Sequence, residues 1–301
     1  MKSAKKLIVI LGPTAVGKTA LSILLAKHFG TEIISADSRQ FYRELNIGVA
    51  RPSPEELNAA PHHFIGFLGI EDDYSAGRFE VDALELIEKL FHRNDYVICC
   101  GGSMLYIDSL IRGLDELPSD SKLKNELETL ITEKGLDILL NELQERDPDY
   151  WEQVDRNNPH RIIRAVEVCR LTGKKFSELR KSLSTERSFD VIQIGLTGDR
   201  EWIYDRINRR VTQMMENGLE QEARSVYPLR DRNALNTVGY KELFAYFDGK
   251  CSLEEATDKI RQHSRNFAKR QLTWWRRDDS IRWIDLQHSN DPLSDALSLI
   301  G

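Results

Sequence analysis

The sequence predicts an α/β fold, a mainly parallel sheet flanked by helices, with an all-helical insertion. Three observations predict it. A short apolar run, Leu7–Leu11, ends in a glycine-rich loop and passes straight into a helical pattern. Further short apolar runs alternate with amphipathic stretches, as strand–helix–strand units require. Between about Pro118 and Ser188 that alternation stops, and the chain is rich in Glu, Lys, Leu and Arg at helical spacing.

Taken in order, Leu7–Leu11 reads as the first strand and the stretch after Thr19 as the first helix. Glu32–Ser35, Tyr96–Cys100 and Val191–Leu196 read as further strands, and Phe79–Phe91 and Trp202–Met215 as helices between them. Ser252–Arg277 lacks Gly and Pro and predicts one long helix packed on the core. The resulting organisation is a core domain from residues 1–117 and 189–301, interrupted by a helical insertion at 118–188. The chain contains no internal repeat and no low-complexity tract.

The composition sets limits on function. With 301 residues, 41% hydrophobic and 30% charged, the chain can bury a sizeable core, and no apolar run approaches the ~20 residues of a membrane helix. The basic front, Met1–Lys6, turns at once into the apolar run and glycine-rich loop without a small-residue cleavage site, which predicts a cytoplasmic protein with no membrane partner. Among four cysteines, Cys99 and Cys100 are adjacent while Cys169 and Cys251 stand apart, so reduced thiols and no zinc are expected. A net charge of −6 argues against wholesale nucleic-acid binding and leaves the question to local basic clusters.

Gly12, Pro13, Thr14, Ala15, Val16, Gly17, Lys18 and Thr19 match G-x-x-x-x-G-K-[ST] at every fixed position, between a predicted strand and a predicted helix. This makes the fold P-loop NTPase-like. Glycines let backbone amides converge on an anion, Lys18 neutralises terminal phosphates, and the Thr19 hydroxyl suits Mg²⁺. Taken alone, the loop points to an ATP- or GTP-using kinase or NTPase. The expected acidic ending of a later strand is missing, because Tyr96–Cys100 runs into Gly101-Gly102-Ser103. Asp37, after the second predicted strand, is the best-placed carboxylate; its position suits a metal ligand, a base or a turn cap.

An ordered series of motifs narrows the choice. After the loop come Asp37-Ser38-Arg39-Gln40, Tyr42, Ile47-Gly48, Pro61-His62-His63, Tyr74-Ser75-Ala76 and Gly101-Gly102-Ser103-Met104-Leu105-Tyr106. His160-Arg161-Ile162-Ile163-Arg164-Ala165, Val238-Gly239-Tyr240-Lys241-Glu242-Leu243 and Ala268-Lys269-Arg270-Gln271 follow, the last leading into Thr273-Trp274. Over nearly its whole length the chain resembles the tRNA dimethylallyltransferases, also called tRNA isopentenyltransferases. The resemblance implies transfer of a dimethylallyl group from dimethylallyl diphosphate to the exocyclic amine of the adenosine 3′-adjacent to the anticodon, in tRNAs reading codons that begin with U, with release of diphosphate.

What the resemblance implies for single residues follows the chemistry. Gly12–Thr19 would hold the allylic diphosphate rather than ATP, with Mg²⁺ on Thr19 and a further contact from Arg210. Asp37 matches the general base, and Ser103 stands where threonine is usual, retaining the hydroxyl. Arg206 lies four residues before Arg210 on the same predicted helix face and reads equally as a solvated basic residue.

The resemblance also implies that the helical insertion closes over the anticodon stem-loop and that the target base is splayed into a pocket. Asp37, Ser38, Arg39, Gln40 and Ser103 would meet RNA from the core side. Asn125, His160, Arg161, Ile162, Ile163 and Arg164 would meet it from the insertion, with Arg170, Lys174 and Lys175 adding charge. Six Lys/Arg residues and no acid occur between Arg261 and Arg277, and Arg261, Arg265 and Lys269 share a helical face suited to a phosphate track. Trp274 and Trp275 read as core packing or as base-stacking groups, and His62 and His63 as structural. The enzyme is expected to act as a monomer.

Departures from the family pattern are Glu44, Asn46, Val49, Gly66 and Asn158, in place of glycine, aspartate, threonine, aspartate and aspartate, and Asn125 where a basic residue is common. None touches the loop, Asp37 or Arg210, so the chemistry is expected to persist while tRNA affinity or choice differs. Three other readings stay open on the sequence: a small-metabolite kinase or NTPase, a prenyltransferase of free adenine nucleotides, and a non-enzymatic RNA-binding protein.

Overall fold

The computed structural model describes residues 5–115, 117–180 and 186–301; residues 1–4 of the basic front, and residues 116 and 181–185 of the expected domain boundaries, lie outside the described residues. Six strands form one sheet: β1 (Lys6–Leu11), β2 (Ile33–Ser35), β3 (His62–His63), β4 (Tyr96–Cys100), β5 (Asp190–Thr197) and β6 (Arg282–Asp285), in the order β3-β2-β4-β1-β5-β6. Every neighbouring pair is parallel. The mainly parallel sheet expected from the alternating pattern is therefore present.

The helices are α1 (Lys18–Phe29), α2 (Pro54–Ala59), α3 (Ala76–Phe91), α4 (Met104–Arg112), α5 (Ser121–Lys134), α6 (Asp137–Arg146), α7 (Pro148–Gln153), α8 (Pro159–Thr172), α9 (Phe176–Leu179), α10 (Arg200–Glu216), α11 (Leu219–Val226), α12 (Tyr240–Phe247), α13 (Leu253–Trp275) and α14 (Pro292–Ile300).

A central parallel strand is covered on both faces, so β1 must be apolar on both. Leu7, Val9 and Leu11 enter one core with Phe41, Phe79 and Ile107. Ile8 and Ile10 enter the other, with Leu21 and Leu25 of α1 and Ala296 of α14. Strands β3 and β6 carry no such run: one is two histidines, the other Arg-Trp-Ile-Asp. Neighbouring strands hold them, Ile33 pairing with His62 and Ile194 with Arg282. Helix α13 forms as one piece, opened by a capping box in which the Ser252 hydroxyl accepts from the Glu255 N–H and the Glu255 carboxylate accepts from the Ser252 N–H.

The chain divides into two compact units, one holding residues up to Ile111 and from Arg187 to Gly301, the other Arg112–Glu186. The second is entirely helical among its described residues, α5 to α9, around a core of Leu127, Leu139, Leu143, Ile162 and Val166. Helix α8 starts where the sequence instructs it to: Asn158 accepts from the Arg161 N–H at 3.3 Å, and Pro159 follows at the first helical position. Asparagine thus performs the capping role that aspartate would at this departure from the family pattern.

A candidate active site at the carboxyl ends of the strands

Order in the sheet positions the site. Because β4 lies between β1 and β2, the segments leaving all three converge on one edge: the glycine-rich loop after β1, Asp37 two residues beyond β2, and Gly101–Ser103 after β4. Such a crevice at the carboxyl ends of parallel strands is where α/β folds bind ligands. Here it is a cavity of about 620 Å³, lined among others by Thr14, Ala15, Asp37, Ser103 and Arg210.

The loop has the backbone its motif requires. Gly12 has φ +147°, and a Cβ there would stand 2.7 Å from Leu196 O, so glycine is needed both for the turn and for the close approach of β5. Ala15 also adopts a positive φ, 65°, the left-handed conformation found in turns whose successive N–H groups form an anion-binding concavity. Lys18 Nζ donates to Gly12 O and Pro13 O, both at 2.9 Å. Burial lowers its ammonium to about 8; the Cys100 thiol and Asp37 oppose the shift and Arg210 adds to it.

Two arginines of α10 reach the loop. Arg206 Nε donates to Ala15 O at 2.7 Å, and its guanidinium stands 4.8 Å from the Trp202 ring centre, so it braces the loop rather than forming a solvated face. Arg210 donates to Thr14 Oγ1 at 3.4 Å and lines the cavity, with burial lowering its guanidinium below the usual range against the pull of Asp37.

Asp37 accepts from the Arg39 N–H through Oδ1 at 3.1 Å, which is the geometry of a turn cap. Its second oxygen, Oδ2, has no hydrogen-bond partner among the described residues and lies where a methyl on Gly102 would stand 3.9 Å from it and 3.8 Å from Lys18 Nζ. Cap and open acceptor thus coexist in one side chain. Ser103 Oγ accepts from the Ser38 N–H at 2.9 Å and donates to Ser38 Oγ at 3.0 Å, tying the end of β4 to the residue after Asp37.

Other predicted residues have partners that change their reading. Gln40 donates through Nε2 to Val49 O and Ala50 O, at 3.3 and 3.0 Å, and accepts from the Ser35 hydroxyl, so it shapes a cavity-lining segment. Arg39 lines the cavity while donating to Asn233 O at 2.6 Å. Of the expected phosphate track, Arg261 is held by Asp258 and Thr212, and Arg265 by Asn208; Lys269 is exposed. Trp275 is buried and Trp274 donates to Asp108 at 2.9 Å, which makes both packing residues. His63 binds Glu32 and His62 the Ala60 carbonyl, a structural pair.

In the helical unit the expected RNA contacts separate by burial. The side chains of Ile162 and Ile163, in the segment expected to meet RNA, are buried in the core of this unit, because α8 packs the face that carries them. Arg164 is likewise used internally, donating to Leu117 O, Pro118 O and Glu167. Arg170 pairs with Glu142, which Arg146 shares, and Lys175 pairs with Asp149. His160, Arg161 and Asn125 are exposed.

Several site residues carried no assigned role in the sequence reading. Gln271, fully buried, accepts from the Thr14 N–H at 2.9 Å and donates to Gly102 O at 2.8 Å, clamping the two loops together. Glu222 accepts from the N–H groups of Asn46, Ile47 and Gly48 and from the Tyr240 hydroxyl, building the neighbouring wall. Glu242 and His263 face the same cavity. On α13, His263, Ser264, Phe267 and Arg270 share one side at helical spacing, but only the fold shows that this side faces the cavity.

Fold and site together define an α/β protein with a P-loop-like fold, whose glycine-rich loop opens onto a cavity with a carboxylate and a hydroxyl. The chain belongs to the IPP transferase family, whose model matches residues 40–278. It is 51% identical over 290 residues to the tRNA dimethylallyltransferase of Christiangramia forsetii, covering 96% of both chains, and 48% identical to tRNA dimethylallyltransferase 1 of Bacteroides fragilis, covering 97% of both. Among solved structures it resembles the tRNA isopentenylpyrophosphate transferase of Bacillus halodurans, with TM-score 0.72 and 37% identity over 98% of this chain and 95% of that one. A eukaryotic dimethylallyltransferase acting on tRNA superposes with TM-score 0.80 at 27% identity, over 98% of this chain and 78% of that one.

Proposed function

We propose that this protein transfers a dimethylallyl group from dimethylallyl diphosphate to the exocyclic amine of the adenosine 3′-adjacent to the anticodon of tRNAs that read codons beginning with U. The observation that carries the reading is the meeting of the phosphate loop, Arg210, Asp37 and Ser103 in one cavity. In this reaction the adenine nitrogen attacks the allylic carbon, the carbon–oxygen bond to diphosphate breaks, and the amine loses a proton. Asp37 Oδ2 is the acceptor for that proton, held in place because Oδ1 is engaged by Arg39. The loop amides, Lys18 and Arg210 surround the departing diphosphate and stabilise its growing charge. Lys18 must leave the loop carbonyls to do so, and a bound diphosphate supplies the compensation.

The residues fit Mg²⁺. Among the described residues no group of three or more His, Cys, Asp or Glu comes together, so an all-protein cage is absent. Mg²⁺ with phosphate ligands needs only one or two protein oxygens, and Thr19, in the first turn of α1, supplies a hard hydroxyl oxygen beside the loop. The ion's contribution would be to neutralise phosphate charge.

The exposed His160, Arg161 and Asn125 of the helical unit contact the anticodon stem-loop in this reading, with Ser38 and Arg39 lining the cavity on the core side. Among the described residues no helix is long and apolar enough to cross a membrane. The test is incubation with labelled dimethylallyl diphosphate, Mg²⁺ and total tRNA, followed by nucleoside analysis. Label in a prenylated adenosine supports the reading; steady ATP hydrolysis with no prenyl transfer overturns it.

A further inference from the structure

The proposed chemistry makes no use of a pair of titratable side chains on the cavity wall. Glu242, in the first turn of α12, is almost fully buried, and its Oε2 accepts from the Gly239 N–H at 2.7 Å. Its Oε1 lies 2.5 Å from His263 Nδ1, on α13. A carboxylate accepts only, so Nδ1 carries the hydrogen and the ring orientation is set by a buried anchor. The other ring nitrogen, Nε2, is left for a partner outside the pair. The His263 side chain is 48% exposed and lines the same cavity as Asp37 and Ser103.

Position along α13 decides what that partner can be. Gln271 of the same helix marks the level of the phosphate loop, because it binds Thr14 and Gly102 directly. His263 precedes it by eight residues, which at 1.5 Å per residue places it roughly 12 Å further along the axis. A diphosphate seated on the loop does not extend there. The wall between them carries Phe267 and Arg270, and Lys241 stands on the same cavity, so the rim that His263 occupies is basic and partly aromatic. That chemistry suits a nucleic-acid strand whose base enters the cavity while its backbone stays at the mouth.

We infer that His263, oriented by Glu242, is a positioning residue that accepts from a ribose hydroxyl of the RNA substrate's backbone at the cavity rim. The inference rests on the tRNA reading above and assigns it a new contact. Nδ1 keeps its hydrogen on Glu242, so Nε2 accepts and its partner on RNA is a donor, a ribose 2′-hydroxyl; Glu242 reaches RNA through the ring it holds, while its Oε2 caps α12 at Gly239.

The experiment compares wild type, His263→Ala, His263→Gln and Glu242→Gln on a stem-loop RNA bearing the acceptor adenosine, measuring RNA affinity, donor KM and the single-turnover rate at saturating RNA. His263→Ala is expected to weaken RNA binding about 3- to 10-fold, the loss of one polar contact, with donor KM and saturated rate held. His263→Gln, whose amide reaches the same place, recovers most of the affinity. Glu242→Gln weakens binding in the same direction and adds little to His263→Ala in the double variant. Unchanged RNA affinity in His263→Ala, or a fall in the saturated rate at unchanged affinity, overturns the inference. A wild-type protein that prenylates no RNA in the same assay defeats the tRNA reading itself, which separates the two failures.

Discussion

Gln271 holds the backbone of Thr14: the loop N–H reaches Gln271 Oε1 at 2.9 Å, and the same amide donates to Gly102 O at 2.8 Å. One buried side chain therefore fixes the separation between the phosphate loop and the loop that carries Ser103. Gln271→Ala leaves a buried donor and a buried acceptor unpaired, at an expected cost of about 1–3 kcal/mol in stability. Donor kcat/KM should fall about tenfold as the cradle loosens. Gln271→Glu should also lose activity, because a carboxylate oxygen would oppose Gly102 O. Thermal unfolding together with donor kinetics checks both variants; unchanged kinetics in Gln271→Ala would remove the clamp from the account.

Asp37→Asn keeps an acceptor for the Arg39 N–H and removes the basic oxygen. The single-turnover rate should drop by about two to four orders of magnitude, with RNA affinity nearly unchanged. Asp37→Ala should show the same loss of rate. If affinity collapsed while the rate at saturation held, Asp37 would be a binding residue.

Lys18 predicts a pH dependence of donor binding. Burial lowers its ammonium to about 8, against an ordinary 10.5, so between these values the free site holds Lys18 neutral. Binding a diphosphate in that window takes up a proton, and donor affinity should fall by up to about tenfold per pH unit above 8. Calorimetry in buffers of different ionisation enthalpy reads the uptake, and Lys18→Met should abolish it. For stability the sign is opposite. The unfolded chain binds the extra proton between about 8 and 10.5, so the contribution of Lys18 to stability rises with pH through that window.

Gly48 and Tyr240 cannot come closer: a Cβ on Gly48 would stand 2.7 Å from the Tyr240 ring, which is fully buried. Gly48→Ala should cost about 1–3 kcal/mol through overpacking. Glu222→Ala should cost at least as much, because three backbone N–H groups and the Tyr240 hydroxyl lose their acceptor. Since Val49 and Ala50 line the cavity, RNA affinity should fall with stability in both; a loss of melting temperature without any change in binding would show the wall to be irrelevant to substrate.

Legibility in the sequence followed the range of the interaction. Strand β1, its loop and α1 are contiguous, so apolar run, glycine spacing and helical period expose them together. Strand β4 was legible to the residue because its five residues carry their own apolar signal. Strands β3 and β6 had none, being two and four residues held by a neighbour. The mixed fate of the cations has the same cause: charge spacing marks Arg206, Arg261 and Arg164 alike, whereas the Ala15 carbonyl, the Thr212 hydroxyl and the Leu117 carbonyl that engage them come from outside their helices.

The phosphate loop, the carboxylate after the second strand, the helical character of the insertion and the family were determined by the sequence alone, because each rests on residue types at fixed local spacing. Tertiary structure decided which of these residues work together. It put β4 between β1 and β2 and so brought Asp37 and Ser103 to the loop, turned Ile162 and Ile163 inward, and used Gln271, Glu222 and Glu242 as anchors. Those outcomes depend on which hydrogen bonds and apolar faces meet across long stretches of chain, and no local pattern records that.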